Sequence, residues 1–203
     1  MIRAVLFDLG GVLERVDAAV RVEEWTSGRI PSSEFWDRWL AAQSVKDFES
    51  GFIGAEVFAQ RAVPELGLSI SPEHFLHDFR SWLGGPYEGA SDLVEQVRAR
   101  GFAAASLSNS NEVHWPIMED HQKTDSVFDA NFPSHSLGVC KPHPEAFLEA
   151  LRRWGKEPSE VLFLDDNEVN CIGAREAGLQ AIRVQGVAGA RAALVEAGVL
   201  GPK

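Results

Sequence analysis

The chain has 203 residues, 45% hydrophobic, 9% aromatic and 24% charged, a globular balance that leaves no room for a collagen-like repeat or a disordered tail. Thirty Asp and Glu against 19 Lys and Arg give a formal charge of -11 with no basic run, so nucleic acid and anionic membranes are poor partners. No stretch reaches the roughly 18 apolar residues of a membrane span, no signal peptide is read at the start, and the two cysteines, Cys140 and Cys171, imply neither a disulfide nor a thiolate metal site. A cytoplasmic protein with reduced thiols is expected.

In chain order, Ala4-Val5-Leu6-Phe7 is a short apolar run stopped by Asp8 and then by Gly10-Gly11, the pattern of a buried parallel strand running into a turn. Residues 15–85 have a different texture. They hold four of the six Trp and six of the 12 Phe at helical spacing with no strand-like run, which predicts an inserted all-helical domain. Its helices are read as Asp17 to Thr26, Ser32 to Gln43, Ala55 to Val63 and Pro72 to Leu83, with Pro31 and Pro72 at starts and Gly28 and Gly67 near ends. Phe35, Trp36, Trp39, Phe75, Phe79 and Trp82 are assigned to that domain's own core.

From about residue 86 helices and strands alternate. Leu93, Val94 and Val97 mark a helix before the strand Phe102 to Leu107; Phe147, Leu148 and Leu151 mark one before Val161 to Leu164; Ile172, Ala174 and Ala177 precede Ala181 to Val184. The expected fold is α/β: a doubly wound parallel sheet, Rossmann-like, from residues 1–14 and 86–203, with a helical cap at 15–85.

In such sheets ligands bind beyond the carboxyl ends of the strands, where strand order reverses. The polar residues that end these runs should therefore converge: Asp8, Ser108 with Asn109, and Asp165 with Asp166. Lys141, read at the start of a helix, joins them. Gathered carboxylates repel one another and require a cation. Oxygen ligands with an incomplete shell suit Mg²⁺, which shares its coordination with substrate phosphate. Ser108, Lys141 and nearby amides would take the remaining phosphate oxygens. Asn167 and Asn170 would orient the acid pair or cap the next helix, and His143 is read as solvent-exposed.

Four segments in order, Phe7-Asp8-Leu9-Gly10-Gly11-Val12-Leu13, Leu107-Ser108-Asn109, Lys141-Pro142 and Phe163-Leu164-Asp165-Asp166-Asn167, resemble the four motifs of the haloacid dehalogenase-like hydrolases. The insertion resembles that superfamily's type-1 helical cap. The nearest likeness is to bacterial members with an FDLGxV opening, sugar-phosphate phosphatases among them; the phosphatase domain of soluble epoxide hydrolases is more distant. The resemblance implies Asp8 as nucleophile forming an aspartyl-phosphate, Ser108 and Asn109 on phosphate, Lys141 neutralising charge, and Mg²⁺ on Asp8, the Gly10 carbonyl and Asp166, with Asp165 beside them. The implied partner is a small phosphorylated metabolite, and the implied assembly a monomer or homodimer.

One position departs from that pattern. Where the family usually carries a second aspartate, two residues after the nucleophile, this chain has Gly10. A backbone carbonyl survives the change; the general acid and base does not, a loss of roughly 100- to 10,000-fold unless compensated. An anomeric or acyl oxygen leaves more readily than a simple alkoxide and depends less on that help, which favours a sugar 1-phosphate or similar substrate. Glu14 and His114 are candidate substitutes, each otherwise a surface or helix residue. Alternatives are a 2-haloacid dehalogenase, which needs no metal and usually lacks the acid pair, and a binding or regulatory protein with weakened turnover.

Overall fold

The computed structural model describes residues 1–16 and 19–202. Asp17, the expected start of the first cap helix, lies outside the described residues. β1 (Ala4–Phe7) leads through a tight turn into β2 (Glu14–Val16). Then come α1 (Ala19–Thr26), α2 (Ser32–Ala41), α3 (Gln43–Glu49), α4 (Ala55–Glu65) and α5 (Pro72–Phe79). The chain returns through β3 (Leu83–Pro86), α6 (Ala90–Ala99), β4 (Ala103–Ser108), α7 (Trp115–Gln122), α8 (Thr124–Val127) and β5 (Ala130–Pro133). It ends with α9 (Ser134–Leu137), α10 (Pro144–Trp154), β6 (Val161–Asp165), α11 (Glu168–Glu176), β7 (Gln180–Arg183) and α12 (Gly186–Glu196).

The main sheet has the order β5-β4-β1-β6-β7, every neighbouring pair parallel. β4 and β5 are added on one side of β1, then β6 and β7 on the other, so the strand order reverses between β1 and β6. Both faces are covered. Val5, Phe7, Leu162 and Leu164 pack with Leu93 and Val97 of α6 and Leu194 of α12. Ala4, Leu6 and Phe163 pack on the opposite face with Phe147 and Leu151 of α10 and Ala174 of α11. A strand buried on both faces reads as an unbroken apolar run, which is why β1 and β6 were visible in the sequence.

The two crossings between sheet and helical insertion pair with each other. β2 and β3 form an antiparallel ribbon, Glu14 opposite Pro86 and Arg15 opposite Gly85, and the Arg15 guanidinium donates to the Gly84 carbonyl. Beyond the ribbon the helices α1 to α5 close around a separate aromatic core of Trp25, Phe35, Trp39, Phe48, Phe58, Phe75, Phe79 and Trp82. Phe48 and Phe58 stack at 4.2 Å and Trp39 meets Trp82 at 4.7 Å, ring separations at which aromatic pairs contribute beyond their buried area.

Several elements differ from the sequence expectation. The helix read as Ser32 to Gln43 stops at Ala41, because Ala42 is extended with ψ 129°. A new helix, α3, begins at Gln43, and the Glu65 carboxylate accepts from Gln43 and Ser44 N–H at 2.7 and 3.1 Å. That cap comes from another helix, so no local signal announces it. The helix from Pro72 ends at Phe79, and Leu83 belongs to the ribbon rather than to the helix. β5, whose Ala-Asn-Phe-Pro lacks an apolar run, and α7 to α9 have no counterpart among the elements expected from the sequence. Lys141 does not open a helix: α10 starts at Pro144, where the exposed His143 accepts from Glu145 N–H as its cap.

Candidate active site

The reversal between β1 and β6 brings the first acid against the last pair. Asp8 follows β1 directly, its N–H donating to Leu164 O at 2.8 Å, so its backbone is locked to β6. Asp8, Asp165 and Asp166 each present one carboxylate oxygen within 4.8 Å of the others. Lys141 enters the same space. Its Nζ donates to Asp8 Oδ1 and Asp165 Oδ2, both at 2.8 Å, and to Leu107 O at 2.9 Å, and its side chain is 1% exposed. Of the predicted site residues, Asp8, Gly10, Ser108, Asn109 and Lys141 line one cavity; Asp165 is fully buried behind them and Asp166 lies beside Gly11.

One lysine does not balance three carboxylates. Burial above all, with the charges of Asp165 and Asp166 adding to it and Lys141 only partly opposing, pushes the Asp8 carboxyl up to about 8. Asp166 is raised as well, by burial and then by Asp165. For Lys141, burial would lower the ammonium pKa, but the charges and hydrogen bonds of Asp165 and Asp8 outweigh it and keep the group protonated. A site of three oxygen donors with residual negative charge fits a hard divalent cation such as Mg²⁺. Gly11 adds a steric sign of the same design. Its φ is +72°, and a Cβ there would collide with the Asp166 carboxylate, so the bare backbone forms a cradle in which that acid lies.

The asparagines divide the supporting work. Asn109 was assigned to phosphate, but both ends of its amide are engaged by Lys141: Nδ2 donates to Lys141 O and Oδ1 accepts from Lys141 N–H, each at 2.9 Å. Its side chain fixes the lysine loop. Asn170 Nδ2 donates to both Asp165 oxygens at 3.1 Å, whereas Asn167 caps α11 by accepting from Val169 N–H at 3.0 Å. Ser108 is 2% exposed with its hydroxyl free of protein partners among the described residues. Gly173 on α11 touches the Pro142 carbonyl so closely that a Cβ would overlap it, which brings the Lys141-Pro142 segment against the acid pair's own helix.

Neither candidate substitute for the missing acid behaves as expected. Glu14 is wholly buried, outside the cavity lining, and accepts from Gln122 Nε2 at 2.6 Å with His121 Nδ1 at 2.8 Å. On β2 its side chain points into α7. His114 does line the cavity, but it is buried rather than on the surface. Its ring stacks on Phe79 at 4.0 Å, Nε2 meets Phe79 O at 2.6 Å, and burial lowers it to about 4, so it is neutral at physiological pH.

The cavity, about 160 Å³, is roofed by the insertion. Trp36, Trp39, Phe79 and Trp82 face the acids from above, joined by Glu49 at the end of α3. Most of these aromatics serve the cap's core and the cavity wall at once. The Trp82 indole N–H is buried without an acceptor among the described residues. Glu49 was not singled out from sequence, since a lone acid at a helix end is commonplace. Contacts hold the roof down: Ser134 Oγ donates to Glu49 O at 2.5 Å and the Glu112 carboxylate accepts from Ala55 N–H at 2.7 Å.

A family model described as a haloacid dehalogenase-like hydrolase matches residues 2–178. The chain is 30% identical over 98 residues to (S)-2-haloacid dehalogenase 4A of Burkholderia cepacia, covering 48% of this chain and 42% of that protein. It is 24% identical over 189 residues to D-ribitol-5-phosphate phosphatase of Bacteroides thetaiotaomicron, covering 89% and 90%. A crystal structure of a HAD family enzyme from the same organism, in complex with magnesium and inorganic phosphate, superposes with a TM-score of 0.73 at 25% identity over 91% of this chain and 95% of that one. The chain spans between 18% and 54% of the length of three of the curated relatives it matches. No helix among the described residues is long and apolar enough to cross a membrane.

Proposed function

Because this chain belongs to the haloacid dehalogenase-like hydrolases, we propose that it is a Mg²⁺-dependent phosphatase that hydrolyses a small phosphomonoester through an aspartyl-phosphate on Asp8. The observation that carries this reading is the meeting of Asp8, Asp165 and Asp166 around one buried lysine at the sheet's switch point. Asp8, Asp166 and the Gly10 carbonyl would hold the cation, with Asp165 as the third carboxylate. When bound, it supplies positive charge against the phosphate oxygens and the reacting carboxylate.

Asp8 then attacks phosphorus in line with the leaving oxygen, and the alcohol departs. Lys141, already hydrogen-bonded to Asp8, orients the free carboxylate oxygen toward phosphorus and faces the charge that develops on the phosphoryl group. The Ser108 hydroxyl donates to a phosphate oxygen, and Asn109 keeps the lysine loop in register. Water next cleaves the acyl phosphate, releasing phosphate and restoring Asp8. The cavity of about 160 Å³ beneath the roof admits a phosphate bearing a group of about ring size. The aromatic faces of Trp36, Trp39, Phe79 and Trp82 suit the apolar face of a hydroxylated ring, so a sugar phosphate, an anomeric 1-phosphate included, is the favoured substrate. Residues 15–85 act as its cap and residues 1–14 with 86–203 as its catalytic core.

A 2-haloacid is itself an anion, and a pocket of Asp8, Asp165, Asp166 and Glu49 repels it unless a cation intervenes. The test is hydrolysis of p-nitrophenyl phosphate and a panel of sugar phosphates with Mg²⁺ and with EDTA. Turnover that needs Mg²⁺ and is lost in Asp8→Asn is expected. Halide release from 2-chloropropionate in EDTA, with no phosphate release from any ester, would overturn the reading.

A further inference from the structure

Among the described residues of the sheet domain that line the cavity, no side chain is free to exchange a proton with the leaving group. Gly10 has none to offer, Glu14 faces away, His114 is neutral with one nitrogen engaged by Phe79, and Lys141 spends its donors on Asp8, Asp165 and Leu107. The insertion does hold one. Glu49 lines the same cavity as Asp8, Ser108 and Lys141, and its carboxylate makes no hydrogen bond among the described residues. Its placement is built rather than incidental. The Glu49 carbonyl accepts from Ser134 Oγ at 2.5 Å, Ser50 Oγ meets Cys140 Sγ at 3.2 Å, and Gly51 lies so close to the His135 carbonyl that a Cβ would not fit. Three successive residues of the cap are thus seated on the segment that carries Lys141.

We propose that Glu49, delivered by the cap, is the general acid and base that replaces the missing aspartate side chain at Gly10. The assignment rests on the phosphatase reading. In the first step the Asp8–phosphorus bond forms, the bond from phosphorus to the ester oxygen breaks, and that oxygen takes the Glu49 proton. In the second, water attacks phosphorus, Glu49 takes the water proton, and the Asp8–phosphorus bond breaks to give phosphate and the free carboxylate. Burial pushes Glu49 up to about 7 while Lys141 opposes, a value at which both forms are populated near neutrality. The groups that face it are Lys141, the Cys140 thiol, Asp8 across the cavity and the neutral His114. With such an acid, the leaving group need not be a good one.

The test is Glu49→Gln in the full chain with Mg²⁺, using p-nitrophenyl phosphate and phenethyl phosphate, with near-ultraviolet circular dichroism of the tryptophans to confirm the fold. Phenethyl phosphate turnover is expected to fall about 100-fold or more. The first turnover of p-nitrophenyl phosphate, whose leaving group needs no proton, should fall less than about tenfold. Its steady state should collapse, giving a burst of nitrophenolate near one per site as phospho-Asp8 accumulates. Glu49→Asp should recover part of the alkyl ester rate. Equal losses on both esters without a burst, or an unchanged phenethyl rate, would overturn the assignment while leaving the phosphatase reading intact. A wild-type chain that releases no phosphate from either ester would overturn both.

Discussion

Removing the buried cation is the sharpest perturbation of this site. In Lys141→Met the volume is largely kept, but Asp8 and Asp165 each lose a 2.8 Å charge-assisted hydrogen bond and Leu107 O loses a donor. Breaking a buried ion pair from one side costs about 3–5 kcal/mol because the other charge stays behind. Here the cost depends on pH, and the sign follows from Asp8. Its folded pKa of about 8 lies far above its ordinary 3.8, so near pH 6 the folded chain binds a proton there that the unfolded chain has shed. At that pH the lysine pairs with Asp165 alone, and its removal costs the smaller part. Above pH 8 Asp8 is ionised in the wild type and draws on Lys141, while in the variant the proton must be retained against rising pH. The penalty therefore grows by up to about 1.4 kcal/mol per pH unit. Urea unfolding in EDTA at about pH 6 and about pH 9 measures it, with a loss of about 2–3 kcal/mol expected at the lower pH and about 3–4 at the higher. A loss that is equal at both, or smaller at the higher pH, would refute the electrostatic reasoning.

Three further outcomes are expected. Asp8→Asn removes one of the crowded carboxylates, so in metal-free buffer above about pH 8 it should unfold at a higher urea concentration than the wild type although it turns over no ester; a lower midpoint counts against the charge excess. Gly11→Ala places a Cβ where the Asp166 carboxylate lies and at a φ of +72°, and the Mg²⁺ concentration that half-restores activity should rise about 10- to 100-fold, read by metal titration. Asn109→Ala frees both bonds to the Lys141 backbone, and kcat should fall about tenfold or more, with a stability loss of about 1–3 kcal/mol that stays below that of Lys141→Met. An unchanged kcat would show that the loop holds itself.

What was legible in the sequence follows the physics of each element. β1 and β6 are buried on both faces, so their apolar runs and terminal acids stood out, and with them the switch-point position of Asp8, Asp165 and Asp166. β5 hid because its edge position asks little of its side chains, and α3 because its N-terminus is satisfied by Glu65 from across the insertion. Asn109 and Lys141 share a motif pattern, but only the fold shows that one amide serves the other's backbone rather than the ligand. Glu49 was illegible for a deeper reason. Its chemistry comes from being folded over onto the segment that precedes Lys141, a contact between distant stretches of chain that no spacing along the sequence encodes.

The ribbon of β2 and β3 couples parts of the molecule that look separate. Both passages between sheet and insertion run through it, the Tyr87 N–H clamps its root to Leu13 O at 2.9 Å, and Val16 at its far end lines the cavity above Gly10. Any swing of the helices would flex this strip, and the strip grows out of the very turn that carries Asp8. A displacement of the roof would therefore pull on the Asp8 turn as well, tying the cover of the pocket to the seating of that carboxylate.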